Sequence, residues 1–476
     1  MRDTHNRATG VFAVQCAMFI LIWSVAAHHQ RFQNQVAISR QDFLHALTVH
    51  GEWFIDRYHE NTPDKAYANQ HYYSDKAPGT SFLLLPVYWL GTRALSAMGV
   101  DLESARAWRI LDWMSVALMF SSVLSYAVFR AVQSISREVR PGSAWILVAG
   151  VALGGMPIVY SGSCFSHCLV FSALTLALVE LGLFSQDRCP QTAGLIRGGM
   201  WLGLALASEY TVGVTVVAIA LYACRQRAWR KVGALLVGLA LPCLMIPIYS
   251  YLTIGNAFQL PYSYQASFPQ MQEGLYGIRA PSVRLAWILL FSPERGLFYW
   301  SPVLMPVLAG LYWMARSQAA LGGMVAIVFL VNVVIFSGRD FDWLAGVSYG
   351  PRYLTAVVPL LLLPGVHACR AIPVVTSVIA FLSIAITGFA YLTNPMSYGD
   401  PNPFVGTMLH ALQQGDVALT VWQSLLDPVT GVALHFVLLF VGCATLWMRG
   451  SGLLRQGIHE LNHTLPATPE VIPNPR

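Results

Sequence analysis

The sequence predicts an all-α integral membrane protein of about twelve transmembrane helices, with a long external first loop that contains juxtamembrane helices. Three observations predict it. Hydrophobic residues make up 55% of the 476 residues and charged residues only 11%, where a soluble globular protein carries roughly a quarter charged. Apolar runs recur along the whole length, near the roughly 20 residues needed to cross the hydrocarbon core. The connections rich in Lys and Arg are short, so the positive-inside rule can orient the chain.

The apolar runs are 10–27, 80–97, 109–130, 144–161, 165–185, 196–224, 232–253, 296–315, 318–337, 351–369, 371–391 and 430–448. The first ends in Ser24-Val25-Ala26-Ala27, like a cleaved signal peptide. A retained helix is expected instead, because the rest of the chain is also membrane-embedded. Basic connections lie at 130–140, 188–197 and 225–231, and Arg316, Arg370, Arg449 and Arg455 mark others. All can be cytoplasmic together under two conditions. Run 80–97, which follows Pro78-Gly79, must stay on the external side. Run 196–224 must cross twice, as two short helices broken at Ser208-Glu209-Tyr210-Thr211, which is polar and costly at mid-bilayer unless it faces protein or water. Both termini are then cytoplasmic. Residues 1–449 form one membrane domain, and 450–476, polar and rich in proline, are expected to be a disordered tail.

This layout puts 28–108, 254–295, 338–350 and 392–429 outside, and most of the acidic residues with them. The helix interiors are nearly free of charge. A carrier would place ionisable groups along a transmembrane path, and no internal repeat suggests one. Glu180 is an exception, close enough to the cytoplasmic end to snorkel. The formal charge of +6 is scattered, so no nucleic-acid partner is expected. Of eight cysteines, Cys16, Cys243 and Cys443 sit inside apolar runs, and Cys164 and Cys168 are four apart. No disulfide framework and no structural metal are expected.

The strongest local signal is His71-Tyr72-Tyr73-Ser74-Asp75-Lys76-Ala77-Pro78-Gly79. A lysine at the mouth of a membrane-surface groove suits a phosphate headgroup, and an adjacent Asp can accept a proton from a hydroxyl. The plain alternative is a solvated turn with a surface ion pair.

The stretch Ser39-Arg40, Gly51-Glu52-Trp53, Ile55-Asp56 and then Asp75-Lys76-Ala77-Pro78 resembles the first external loop of bacterial polyprenyl-phosphate-dependent glycosyltransferases of the GT-C class. Relatives of the lipid A aminoarabinose transferase and of protein O-mannosyltransferases (glycosyltransferase family 39) belong there. Asp75-Lys76-Ala77-Pro78 matches the acidic-Lys-Pro-Pro motif of that class with one substitution. Phe291-Ser292-Pro293-Glu294-Arg295-Gly296 and Ser348-Tyr349-Gly350-Pro351-Arg352-Tyr353 resemble later motifs of bacterial members, so the likeness covers roughly 10–390. The class carries an acid two or three residues before the loop arginine. Here those positions are Ala37 and Ile38.

The resemblance implies an inverting glycosyltransferase of the bacterial inner membrane, working on the external face. Its donor would be a polyprenyl-phosphate-linked sugar, and its acceptor a lipid, glycan or protein. Asp75, and after it Asp56, is the expected base. Lys76 and Arg352 are expected to hold the donor phosphate, whose charge grows in the transition state. Arg40, His167, Glu209, Tyr210, Glu294, Arg295 and Tyr349 are the expected substrate-binding residues. Each has a plainer reading: Arg352 as an interfacial helix anchor, Glu294-Arg295 as a local ion pair, His167 as a backbone cap. Asp340 and Asp342, near Arg339 and Trp343, leave a sugar or metal role open. His45, His50 and His59 share no metal-ligand spacing and read as ordinary polar residues. No cofactor is required, although some members of the class use a divalent metal. Membrane lipids are further partners. A transporter or lipid flippase, a membrane scaffold, and a glycan polymerase or ligase using a lipid-diphosphate donor are the rival readings.

Overall fold

The computed structural model describes residues 15–20, 22, 35–185, 190–225, 227–274, 276–393, 395–414, 430, 433, 434 and 437. The expected tail 450–476 and most of the runs 10–27 and 430–448 lie outside them. Among the described residues the chain is mostly helical, with one two-stranded sheet. Among the described residues, four helices are long and apolar enough to cross a membrane, Ala105–Ile135, Trp229–Ile254, Ala319–Phe336 and Pro373–Tyr391. A bent pair, Pro141–Leu153 with Met156–Gly162, raises that number to five if it is one span. Shorter apolar helices accompany them. Gly79–Ala97 is not among the qualifying helices.

Six helices position the site: α1 (Gln35–His45), α2 (Gly79–Ala97), α3 (Ser166–Glu180), α4 (Thr192–Ser208), α5 (Gly213–Cys224) and α6 (Val358–Ala371). Helix α3 is the centre of the molecule, and every one of its residues is buried. It packs against α4, α6 and the helix Leu118–Ile135. Its far end carries Glu180, which does not reach solvent as the sequence suggested. Arg130 Nη2 and Arg197 Nη2 hold it at 2.9 and 2.8 Å. Helix α4 lies close against Trp229–Cys243, because Gly199 and Gly203, four apart, let the two backbones touch. A Cβ on either would stand 2.2 Å from Leu235 O or Leu239 O.

The chain breaks between α4 and α5 at Glu209–Val212, where the polar tetrad predicted an interruption. The first loop holds something the all-helical expectation lacked, a hairpin of β1 (Lys65–Ala68) and β2 (His71–Ser74). Asn69 and Gln70 turn it with φ of 51° and 68°, the two positive values that a tight hairpin turn requires. Tyr67, Tyr72 and Tyr73 supply the aromatic residues that favour strands. Tyr249 donates to Ser74 O at 2.8 Å and pins the second strand to the helices. The hairpin leads directly into α2, whose first residue, Gly79, meets α4. A Cβ there would stand 2.7 Å from Ala207 C and 2.8 Å from Ser208 Oγ.

Candidate active site

The loop arginine, Arg40, is almost fully buried at 1% exposure. From α1 its guanidinium donates to Cys164 O at 3.3 Å and Ser208 O at 3.5 Å, and lies 3.8 Å from Glu209 Oε2. It ties the first loop to the turn before α3 and to the break after α4. Glu209 is held further by Ser166 Oγ at 2.7 Å and Thr211 Oγ1 at 3.2 Å. Burial pushes its carboxyl upward, but His167, Arg40, Ser166 and Arg352 outweigh that and keep it below the usual range.

Above this base lies a cavity of about 230 Å³. Asp64 and Lys76 of the first loop line it with His167, Glu209 and Thr211 and with Arg339, Asp342, Arg352 and Tyr353. Tyr262, Phe268, Phe341 and Tyr398 add aromatic surface. Lys76 Nζ sits 3.1 Å from Asp64 Oδ1 and 3.1 Å from Asp75 Oδ1, and 5.6 Å from the centre of the Tyr262 ring. Burial disfavours the ammonium, but Asp64 and Asp75 outweigh it and hold its pKa above the ordinary lysine value. Asp75 has no exposed surface, and Gln265 Nε2 also donates to it at 3.3 Å. Burial pushes its carboxyl up to about 6, against the pull of Lys76.

Tyr353 packs against two arginines. The Arg339 and Arg352 guanidinium carbons are 4.9 and 5.4 Å from its ring centre. Its hydroxyl donates to Asp342 Oδ2 at 2.5 Å, and Arg339 Nη2 meets the same oxygen at 3.3 Å. Arg352 Nε and Nη1 are buried and find no acceptor among the described residues, nor does Arg339 Nε. Buried N–H groups of a cation rarely stay unpaired, so these mark where an anion fits.

The expected residues therefore separate. Lys76, Arg352, His167 and Glu209 come together on the cavity, with Arg40 and Asp75 directly behind it. Tyr210 lies next to Glu209 but does not line the cavity. Its ring packs against Tyr262 at 5.4 Å. Asp56 precedes the hairpin and binds its second strand, accepting from Tyr72 N at 2.7 Å and meeting His71 Nδ1 at 2.6 Å, and does not line the cavity. Arg295 is a clamp for loops: it donates to Leu344 O, Gly346 O, Ser348 O and Ser397 O. It meets Glu294 through the backbone carbonyl. Tyr349 is buried, bonded to Tyr160, Trp300 and Thr387. His45 and His50 gather instead around Glu103 at 3.6 and 3.0 Å.

Asp64 and Arg339 are cavity residues absent from the expected set. The hairpin register supplies the signal for Asp64. Lys65 pairs with Ser74, so the next position outward sets Asp64 against Asp75. Arg339 has no comparable local signal. Among the described residues, no group of three or more His, Cys, Asp or Glu is arranged to hold a metal ion.

No family model matches the chain, and no curated protein matches it. Its structural neighbours include two crystal structures of ArnT from Cupriavidus metallidurans. The one bound to undecaprenyl phosphate has 15% identity and a TM-score of 0.46, covering 97% of this chain and 82% of that one. The apo form has 16% identity and a TM-score of 0.48, covering 97% and 81%. Both scores are low, and the residues around the cavity carry the functional argument.

Proposed function

We propose that the protein is a membrane glycosyltransferase that moves a sugar from a polyprenyl-phosphate donor to an acceptor at the external face of the bacterial inner membrane. The observation that carries this reading is the convergence of Lys76 and Arg352 on the lining of one cavity, together with buried guanidinium N–H groups of Arg352 and Arg339 that have no acceptor among the described residues. Such donors suit a phosphate oxygen pair. The motif likeness in the first loop points to the same chemistry.

In this reading Lys76 and Arg352 hold the phosphate, and Arg339, on the same Tyr353 ring, adds its charge to theirs. The acceptor hydroxyl attacks the anomeric carbon from the side opposite the phosphate, and a carboxylate beside Lys76 takes its proton. The leaving phosphate gains charge, and cations already in place stabilise it most in the transition state. A cavity of about 230 Å³ accommodates the phosphate and a single sugar, with the lipid tail outside it among the helices.

Charge balance favours a monophosphate over a diphosphate donor. Lys76, Arg339 and Arg352 face Asp64, Asp342 and Glu209 in the same lining. One further negative charge suits that set better than two. The external placement is supported by α3. His167 at its start lines the cavity, while Glu180 at its end meets Arg130 and Arg197. Arginines in short connections mark the cytoplasmic side. Twelve crossings, with both termini cytoplasmic, complete this topology.

Native mass spectrometry of the protein in nanodiscs, with undecaprenyl phosphate and undecaprenyl diphosphate as competing probes, tests the reading. Preferential retention of the monophosphate is expected. Preference for the diphosphate, or retention of neither, refutes it and returns the polymerase, ligase or transporter readings.

A further inference from the structure

Resting on the glycosyltransfer reading, we propose that Asp64 is the general base of the reaction and that Asp75 is a positioning residue that holds Lys76. A base has to reach a proton on a hydroxyl inside the cavity. Asp64 lines that cavity and Asp75 does not. Asp75 is fully buried, and its Oδ2 meets both Lys76 Nζ and Gln265 Nε2 at 3.3 Å. Asp64 meets Lys76 through Oδ1 alone, at 3.1 Å. Its side chain keeps 13% exposure.

The backbone around Asp64 is fixed, as a reactive group requires. Asp64 N donates to Thr62 Oγ1 at 3.0 Å, and its carbonyl accepts from Ser39 Oγ at 2.6 Å. Thr62 in turn donates to Gln35 O at 2.9 Å, and Ser39 and Ser74 hydroxyls meet at 2.8 Å. The hairpin, α1 and Asp64 thus form one unit. Of the other cavity carboxylates, Glu209 uses both oxygens on Ser166 and Thr211, and Asp342 spends Oδ2 on both Tyr353 and Arg339, far from Lys76's two partners in the hydrogen-bond network.

Sharing Lys76 between two carboxylates gives the arrangement a chemical consequence. In the step, the acceptor oxygen forms its bond to the anomeric carbon as the carbon–oxygen bond to phosphate breaks. The bonding pair leaves with the polyprenyl phosphate, and the acceptor proton goes to Asp64 Oδ2. Asp64 thereby loses the charge that competed for Lys76. The ammonium is released toward the phosphate as that group becomes more negative, so its attraction is stronger in the transition state than before it.

The test uses full-length wild-type, Asp64→Asn, Asp64→Glu, Asp75→Asn and Asp342→Asn proteins in liposomes. Two readouts are taken on each: retention of undecaprenyl phosphate, and transfer from radiolabelled undecaprenyl-phosphate hexoses and pentoses to membranes of a strain lacking the protein. Asp64→Asn is expected to retain undecaprenyl phosphate at least as well as wild type, because a competing anion is gone. Its transfer should fall by about 10²- to 10⁴-fold, the usual contribution of a general base. Asp64→Glu should recover part of that rate with a displaced pH profile. Asp75→Asn should act mainly through weaker donor retention. Wild-type levels of transfer by Asp64→Asn, parallel loss of retention and transfer in it, or a larger rate loss in Asp75→Asn or Asp342→Asn would overturn the assignment. Wild type that retains the lipid but transfers no sugar would overturn the glycosyltransfer reading itself.

Discussion

Replacing Arg352 separates a phosphate ligand from a helix anchor. The side chain is 8% exposed, and its Nε and Nη1 atoms have no acceptor among the described residues. If a phosphate fills that gap, Arg352 contributes two charge-assisted hydrogen bonds, one from each nitrogen. Each is worth about 1.5–3 kcal/mol. Arg352→Lys keeps the charge but can make only one such contact, so one bond is lost. At about 1.4 kcal/mol per tenfold, undecaprenyl phosphate binding should weaken roughly 10- to 150-fold. Arg352→Ala loses both bonds and should weaken it by about 100-fold or more. The assay is titration of the lipid phosphate into each protein in nanodiscs. Thermal unfolding of the empty proteins serves as a control, because Arg352 also stacks on Phe165 at 5.5 Å. A dissociation constant for Arg352→Lys equal to that of wild type, with folding intact, would show that the guanidinium holds no phosphate.

Further expectations concern the frame around the site. Burial pushes Asp42 up to about 7, only partly offset by its hydrogen bond from Asn61 and by Lys65. The folded pKa is raised, so the related stability is full below the unfolded pKa of about 4 and lost as pH rises through the folded one. Asp42→Asn should therefore gain stability over wild type as pH rises from about 4 to 7, by at most about 1.4 kcal/mol per unit, in thermal unfolding across pH; a constant difference would contradict this. Arg295→Met removes a charged donor from the carbonyls of Leu344, Gly346, Ser348 and Ser397, each of which keeps one longer contact from Ser348 or Ser397, at about 1.5–3 kcal/mol for each charge-assisted bond lost. A large fall in melting temperature should follow, and an unchanged one would refute the clamp. Gly79→Ala forces a Cβ against Ala207 C at 2.7 Å, so α2 must shift at a cost of about 1–3 kcal/mol, read as a lower melting temperature with weaker lipid retention.

The sequence revealed the elements whose signal is local. The polar tetrad Ser208–Thr211 marked the break between α4 and α5, and Asp75-Lys76-Ala77-Pro78 marked the start of α2. Arg40, Lys76 and Arg352 were named from their motifs and His167 and Glu209 from their places at polar turns, and they meet at or beside one cavity. The hairpin was not legible, because its turn is Asn69-Gln70 rather than the Asn-Gly that signals such turns. Without that register, the cross-strand neighbour of Asp75 stayed hidden. The absent acid at Ala37 and Ile38 also looked like a gap in the site. In the folded chain Asp64 is tied to the same helix through Ser39. His45 and His50 read as ordinary polar residues, and in the folded chain, at either end of the π-turn 46–50, both lie near Glu103. Arg339 and Asp342 come together with Arg352 only through tertiary packing, which periodicity and motif cannot predict.

Glu294, Arg295 and Tyr349 illustrate the converse. Their motifs are distinctive, yet Arg295 and Tyr349 spend their polar groups on backbone and neighbouring side chains rather than on the cavity. A buried arginine with all its donors used on carbonyls orders the loops that carry Arg339 and Arg352. That role explains the motif without any contact to substrate.

The most direct measurement is sugar transfer by the purified protein in liposomes, supplied with a radiolabelled polyprenyl-phosphate sugar and acceptor membranes. The account predicts that label leaves the lipid for a new product with inverted anomeric configuration, that free polyprenyl phosphate accumulates, and that Lys76→Ala abolishes both. Label that stays on the polyprenyl phosphate, or that moves only when the donor is a lipid diphosphate, would contradict it.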